Sequence, residues 1–542
     1  MNKKIKLLDC TLRDGAYITN SQFGVPVIKG IIKKMQDAHI DIIECGWLKD
    51  KAHETGSSFY HVPADLEYYL VEKSPAATYV VMIDWDRYNV DNLPPCDGKS
   101  VDAIRVVFPH GRHREAIEIG QKIRDKGYKI FFQAANTLAY SNADLIDLAK
   151  CMNDFCPVSL SVVDTFGAMY SDDLERIVRL LDYELDKKIK LGFHSHNNQQ
   201  LSFALSMNFV EMLLSSRRDV VVDASLCGMG RGAGNATLEL VASYLNKKQH
   251  GNYDLDEIMD AIDMYMNKLQ KNFSWGYSTP YFISGLYQCH VNNIAYLLNS
   301  HRTNSKDMRN IISSLSQEER RKYDYDLLEE KYIENQNRIV DDKAVRDALK
   351  KIFRDRIILL LAPGKSIDLN RKEIQAFIAE RQPIVIGVNA INANYEYDYL
   401  FFIKITRYEY AAEFYAEQFR RTKKIILSNI KTIADDNEYI INFNRAIKRG
   451  WEHFDNAVIC ALRLMSKLQV KKVALAGFDG FKDNYDDSYA DKLLPSLNPK
   501  NNWAELNEEI KNMFADVLGS VKGSMEINFL TDSIFKSVAD NL

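Results

Sequence analysis

The triplet His194-Ser195-His196, within "KLGFHSHN", has the spacing to hold a metal ion. Side chains alternate along a strand, so His194 and His196 share one face while Ser195 points away. Two imidazoles on one face can reach a single cation. A carboxylate beside them completes an N/O donor set suited to Mn, Fe, Co or Zn, with Mg also accommodated. Asp14, in "TLRDG", is the candidate carboxylate, and Arg13 next to it stays charged at any ordinary pH. Taken alone, Arg13–Asp14 reads as a surface salt bridge at a turn, and H-x-H as two ordinary histidines. The stretch "GMGRGAGN" places glycine at 228, 230, 232 and 234. From its first glycine it does not fit G-x-G-x-x-G, so it reads as a loop whose backbone approaches a metal or substrate closely. Asn235 ends that loop and could add an oxygen ligand.

What positions these residues is a series of short apolar, β-rich runs at 5–11, 41–47, 78–84, 103–108, 129–136, 158–165, 190–197 and 220–230. Most intervals carry a helical pattern, as in "VIKGIIKKMQDAHI" and "DDLERIVRLLDYELDK". Continuous apolar strands alternating with helices predict an α/β chain with a parallel sheet covered on both faces. Eight such units match a (β/α)8 TIM barrel over residues 1–250; an open doubly wound sheet is the competing architecture, and the even spacing favours closure. The polar clusters fall at strand ends, where a barrel builds its mouth. Arg13 and Asp14 end the first run, Glu44 the second, Asp164 and Thr165 the sixth, and His194 and His196 the seventh. Closure sets the first run beside the eighth and two from the seventh, which carries Asp14 toward the histidines.

Beyond the barrel, residues 251–350 lose the strand signal and predict a helical extension and connector, with a charged face in "SLSQEERRKYDYDLLEEKYIENQ". From 351 to 542 a second α/β, Rossmann-like domain is expected, from runs such as "RIILLLAPGKSI", "PIVIGVNAI" and "KKVALAGFDGF". "APGKS" is no P-loop, because the first glycine of G-x-x-x-x-G-K-[ST] would fall on Leu359. A glycine turn before a helix can still offer backbone N–H groups to a nucleotide or phosphate.

The 542 residues are 46% hydrophobic and 27% charged, a globular composition long enough for two or three domains. Net charge is −4, which argues against a nucleic-acid partner. Eight cysteines with no C-x-x-C point to a reducing, cytoplasmic setting. "MNKKIKLLDC" is no signal peptide, and no apolar stretch is long enough to suggest a membrane partner.

Together "TLRDG", "IIECGW", "VVDTFGAM", "GFHSHNN" and "GRGAGNATLE" resemble the DRE-TIM metallolyase superfamily, which includes 4-hydroxy-2-oxovalerate aldolase and 3-hydroxy-3-methylglutaryl-CoA lyase. The resemblance covers about residues 5–245. It implies a divalent metal, Mn or Mg first and Zn or Co next, held by Asp14, His194 and His196 with Asn235 as a fourth ligand. It also implies that Arg13 steadies enolate charge, that Glu44 orients the arginine and that Thr165 contacts a substrate carboxylate. Arg105 and Gly232 are assigned to substrate binding as well. The implied activity is an aldolase or lyase making or breaking a C–C bond next to a 2-oxo acid such as pyruvate. A homo-oligomer is expected.

Two departures matter. The aldolases carry a histidine base three residues after the metal aspartate, where this chain has Tyr17, so acid/base work falls to Tyr17, His110 or His290. The synthases of the superfamily place Glu-Gln after "RDG", where this chain has Ala16 and Tyr17. Trp275, Tyr277 and Tyr281 follow the barrel as core, or as a substrate wall. The second region loosely resembles nucleotide-sugar-using glycosyltransferase folds, which would suit polysaccharide or sugar-acid biosynthesis. The competing readings are a bifunctional protein with a nucleotide-sugar-dependent transferase, and a barrel kept as a non-catalytic scaffold.

Overall fold

The computed structural model describes residues 4–540 except 71, 300, 302, 337–338, 431–436, 452–455, 483–487 and 497–501. The chain divides into two compact units, Met1–Val291 with Arg320–Lys322, and Asn292–Glu319 with Tyr323–Leu542.

The first unit is a closed parallel barrel. Its strands are β1 (Ile5–Asp9), β2 (Ile42–Leu48), the two-residue β3 (Phe59–Tyr60), β4 (Thr78–Asp84), β5 (Ala103–Phe108), β6 (Lys129–Ala134), β7 (Ser159–Asp164), β8 (Lys190–Ser195) and β9 (Val220–Ala224). Their order is β1-β9-β8-β7-β6-β5-β4-β2-β3, and pairing of Leu8 with Ile42 and Asp9 with Ile43 joins β1 to β2 and closes eight strands into a TIM barrel. All eight expected runs form barrel strands. Amphipathic helices such as Val25–Asp37 and Ser171–Glu184 connect them, burying Ile28, Ile31, Ile32 and Met35 in the first case and Leu174, Ile177, Val178 and Leu181 in the second. These are the i, i+3, i+4, i+7 positions of a helix lying on a sheet.

The barrel interior is stacked in layers. Leu8, Ile42, Val80, Ala103, Phe131 and Val221 form a buried apolar plug. Two residues further along the same strands, the inward face carries Cys10, Glu44, Met82, Arg105, Gln133 and Asp223, because side chains repeat every second residue. The charged members of that layer are at most 2% exposed. The plug shuts water out from below, so the polar layer faces only the carboxyl-terminal mouth.

Residues 251–350 are helical, from Leu255–Ala261 to the helix Lys343–Phe353, with no strand among the described residues. In the second unit β10 (Ile357–Leu361), β11 (Ile384–Val388), β12 (Tyr399–Phe402), β13 (Lys423–Leu427), β14 (Glu438–Ile441), β15 (Lys472–Ala476) and β16 (Glu526–Phe529) form one parallel sheet ordered β14-β13-β12-β11-β10-β15-β16. No helix among the described residues is long and apolar enough to cross a membrane.

Candidate active site and metal centre

Asp14, His194 and His196 meet at the barrel mouth, with one donor atom from each lying within 4.8 Å of the others. The strand ladder explains the meeting. β8 and β1 flank β9; His194 is on β8 and His196 stands one residue past its end, in a bridge to Asn235, with the two imidazole centroids 5.1 Å apart. β1 itself ends at Asp9. Arg13 and Asp14 stand on a one-turn helix, Thr11–Asp14, rather than on the strand. The turn is set by Asp9, whose Oδ1 accepts from the Thr11 amide (3.3 Å) and hydroxyl (2.5 Å).

Behind the cluster runs a chain of buried charges. Arg13 donates from Nη1 to Asp14 Oδ1 (2.7 Å) and from Nε to Glu44 Oε2 (2.8 Å). The same Glu44 oxygen lies 2.8 Å from Arg105 Nη1, and Arg105 in turn donates to Gln133 Oε1 (2.8 Å) and to Asp223 Oδ2. Asp223 Oδ2 stands 3.2 Å from His194 Nδ1. A carboxylate behind an imidazole fixes the ring's tautomer and raises its basicity as a ligand. The network therefore links both sides of the cluster through the barrel interior.

Electrostatics fit a cation. Three carboxylates (Asp14, Glu44, Asp223) face two guanidinium groups (Arg13, Arg105), leaving one negative charge in a buried site. Burial pushes the Asp14 carboxyl up, but Arg13 first and then the two imidazoles overcome this and hold it at about 2. Burial takes His196 down to about 4 against the pull of Asp14, so its ring is neutral and its lone pairs are available. With His194 Nδ1 turned to Asp223, His196 Nδ1 and Asn235 Oδ1 are buried without a hydrogen-bond partner among the described residues. Buried polar atoms beside an ionised carboxylate form a donor set that a divalent cation would satisfy. The residues present fit a divalent metal. A second grouping, His113, Asp147 and Cys151, fits less well, because Arg114 Nη2 already sits 2.7 Å from Asp147.

The remaining expected residues divide. Asn235 reaches the cluster as a donor: its Nδ2 lies 2.6 Å from Asp14 Oδ2. Gly230 explains how the loop comes so close, since a Cβ there would stand 2.4 Å from Asn235 Nδ2 and 2.7 Å from Asp14 Oδ2. Gly232, at φ +68°, packs its backbone on Asn198, whose Oδ1 accepts from Ala233 N (2.8 Å). Thr165 Oγ1 accepts from Asn136 N (2.6 Å), which leaves its O–H as a donor. Tyr17 lies beside Trp47 (6.0 Å between centroids) under the Arg231 guanidinium (4.9 Å), and desolvation pushes its phenol to about 12. His290 accepts from Arg231 Nη2 (2.7 Å), and burial, then Arg231, takes it down to about 3.

Four expectations are corrected. Glu44 is not at a strand end but third of seven residues in β2, in the interior layer. Arg105, 1% exposed in mid-barrel, is committed to Glu44, Gln133 and Asp223 and braces the site rather than touching substrate. His110 pairs with Asp144 (3.2 Å) and meets the Tyr140 ring edge-on, away from the cluster. Trp275 donates from Nε1 to Cys227 O (3.0 Å) and pins the glycine loop, whereas Tyr277 is exposed.

Sequence reasoning passed over Asp223, although an acid inside "VVVDA" was a visible signal, and Arg231 and Lys49 as well. Lys49 Nζ lies 4.3 Å from the Trp47 ring and 2.8 Å from Asp84, just past the end of β2.

Residues 110–264 match the family model described as HMGL-like. Over 275 residues the chain is 28% identical to 4-hydroxy-2-oxovalerate aldolase of Pseudoalteromonas translucida (strain TAC 125), covering 48% of this chain and 75% of that protein. It is 26% identical over 263 residues to oxaloacetate decarboxylase of Mycobacterium tuberculosis (strain ATCC 25618 / H37Rv), covering 47% and 74%. Among solved structures, an N-terminal domain from Bacteroides vulgatus aligns at 25% identity and a TM-score of 0.47, covering 54% of this chain and 95% of that domain. The HMGL-like match lies within the first unit, whose barrel mouth carries the Asp14–His194–His196 cluster, and the barrel is similar in sequence to these aldolases and decarboxylases.

Proposed function

We propose that the barrel is a divalent-metal-dependent carbon–carbon lyase of the aldolase type, acting on a 2-oxo acid such as pyruvate or an adduct of it. The observation that carries this reading is the guanidinium of Arg13, fixed between Asp14 and Glu44 beside three convergent metal donors. Asp14, His194 and His196 would hold the ion, and a bound divalent ion supplies Lewis acidity to a chelating 2-oxo acid.

The protein's own residues do the rest. Arg13 keeps a positive charge where negative charge develops on the substrate oxygen, and it does not reorganise because both of its anchors are buried. Thr165 offers an O–H to a carboxylate. Tyr17, protonated at neutral pH, holds a proton on its phenolic oxygen for delivery to the carbon left by bond cleavage. Arg231, over the Tyr17 ring, adds a second positive charge at the rim that suits an anionic substrate. The names of the aldolase and decarboxylase relatives support this substrate class.

The test is exchange of the pyruvate methyl protons with deuterated solvent, followed by NMR. Chelation should stop the exchange and added Mn²⁺ or Mg²⁺ should restore it. Exchange that survives both EDTA and His194→Ala would refute the reading.

A further inference from the structure

Cleaving an aldol adduct requires a group that accepts the proton of the hydroxyl about to become an aldehyde. Tyr17, His290 and His110 do not supply it. Tyr17 is protonated at neutral pH, the ring nitrogens of His290 meet the Arg231 guanidinium, and His110 turns to Asp144 away from the cluster.

The barrel offers a carboxylate instead. β4 stands opposite β8, with β9, β1 and β2 between them on one side and β7, β6 and β5 on the other. Val80 of β4 belongs to the apolar plug, and Met82 to the layer above it. Asp84, two residues further, ends the strand on the same inward face, at the mouth. Trp47 pairs with Met82, so Lys49, two residues on, comes level with Asp84 and donates from Nζ to its Oδ2 (2.8 Å). The Trp47 ring, 4.3 Å from that ammonium, and the Phe59 ring, at 5.8 Å, hold the lysine in place. Asp84 Oδ1 makes no hydrogen bond among the described residues, and the side chain is 25% exposed. Because the plug closes the barrel from below, that exposure is to the mouth. Asp84 is thus a carboxylate with one oxygen anchored and the other available.

Asp84 also neighbours the acid. Burial raises the Tyr17 phenol most and Arg231 opposes it; the next charge acting on it is Asp84, ahead of Asp14. Trp47 is shared by both, meeting the Tyr17 ring edge-on and carrying Lys49 over its face.

We propose, building on the lyase reading above, that Asp84 is the base that accepts the hydroxyl proton of a 4-hydroxy-2-oxo acid, and that Lys49 is its positioning residue. The 2-oxo acid end lies at Asp14, His194 and His196, and the hydroxyl-bearing carbon extends across the mouth toward β4. As the hydroxyl proton passes to Asp84 Oδ1, the O–H electron pair forms the aldehyde C=O. The C3–C4 bond breaks, and its pair passes to the 2-oxo acid as the enolate. Tyr17 then protonates C3, and Asp84 returns its proton to the Tyr17 phenolate. One proton leaves oxygen and one reaches carbon, so no co-reactant is consumed.

The test is pyruvate release from 4-hydroxy-2-oxovalerate and 4-hydroxy-2-oxoglutarate by the full chain with Mn²⁺, beside exchange of the pyruvate methyl protons. The native chain should exchange those protons and cleave at least one of the two acids. In Asp84→Asn the amide oxygen still accepts from Lys49, so the thermal midpoint should hold, while cleavage slows by about 10²–10⁴-fold. Exchange involves no hydroxyl and should slow far less. Adding formate to Asp84→Ala should raise its cleavage rate about tenfold or more, because a small carboxylate can replace the missing base; a merely structural defect would not respond. Near-native cleavage by Asp84→Asn, absence of formate rescue, or a native chain that exchanges pyruvate protons but cleaves neither acid would overturn the role of Asp84 and leave the lyase reading standing. A native chain that exchanges no protons would sink that reading and this proposal together. Should Asp84→Asn fail to fold, Asp84→Ala with formate decides the matter.

Discussion

Glu44→Gln removes one charge from the middle of the buried network while keeping its shape. Glu44 is fully buried and its Oε2 lies 2.8 Å from both Arg13 Nε and Arg105 Nη1. An amide can still accept one hydrogen bond, but two guanidinium groups then share less counter-charge in a site sealed from below by the apolar plug. Disrupting a buried pair in this way costs about 3–5 kcal/mol. At about 2–4 °C per kcal/mol for a domain of this size, the barrel's unfolding midpoint should fall by about 6–20 °C. The local charge also changes, from three carboxylates against two guanidinium groups to two against two. Divalent-ion affinity should therefore fall by about 10–100-fold, the usual effect of losing a partner behind the ligands. Thermal unfolding followed by circular dichroism, with Mn²⁺ titration on the same preparation, reads both. A variant within about 1 kcal/mol of the native chain and with unchanged Mn²⁺ affinity would refute the claim that Glu44 joins Arg13 to the barrel interior.

Three further outcomes follow from the geometry. Gly230→Ala puts a Cβ within 2.7 Å of Asp14 Oδ2, so the loop must retreat, and Mn²⁺ affinity should drop while the unfolding midpoint changes little; unchanged affinity would contradict the close approach. Tyr17→Phe should slow proton exchange by about 10²–10⁴-fold with little change in stability, and native rates from this variant would remove Tyr17 as proton donor. Asp9, buried, is raised to about 7 mainly by desolvation, so its contribution to stability is full below about pH 4 and is lost as pH rises toward 7. Asp9→Asn keeps the acceptor for Thr11 and should remove that decline, worth about 4 kcal/mol between pH 4 and 7.5; urea unfolding curves that fall in parallel for both proteins would refute it.

Much of this fold was legible because parallel strands covered on both faces are written as unbroken apolar runs, and each of the eight barrel strands falls on such a run, β2 extending one residue beyond it. Strands that escaped notice are short or marginal. β3 has two residues, while β14 and β16 lie at the sheet edges with charged or half-exposed residues that break the pattern. The histidine pair and Asp14 were legible because alternation and barrel closure both act on them. Arg105 was assigned to substrate binding along with the resemblance and not from its place in the run; its phase, two residues after Ala103 of the plug, marks it as interior. Asp223, two after Val221, obeys the same rule. The Arg231–His290 contact joins residues 59 apart through a loop and a helix end, and no periodicity reports such a meeting.

Manganese bound per chain, counted by EPR titration of metal-free protein, bears most directly on the barrel mouth. The native chain should take up one tightly held ion there, and Asp14→Asn and His196→Ala should each lose it while staying folded. A native chain that binds none, or variants that bind it undiminished, would contradict the account.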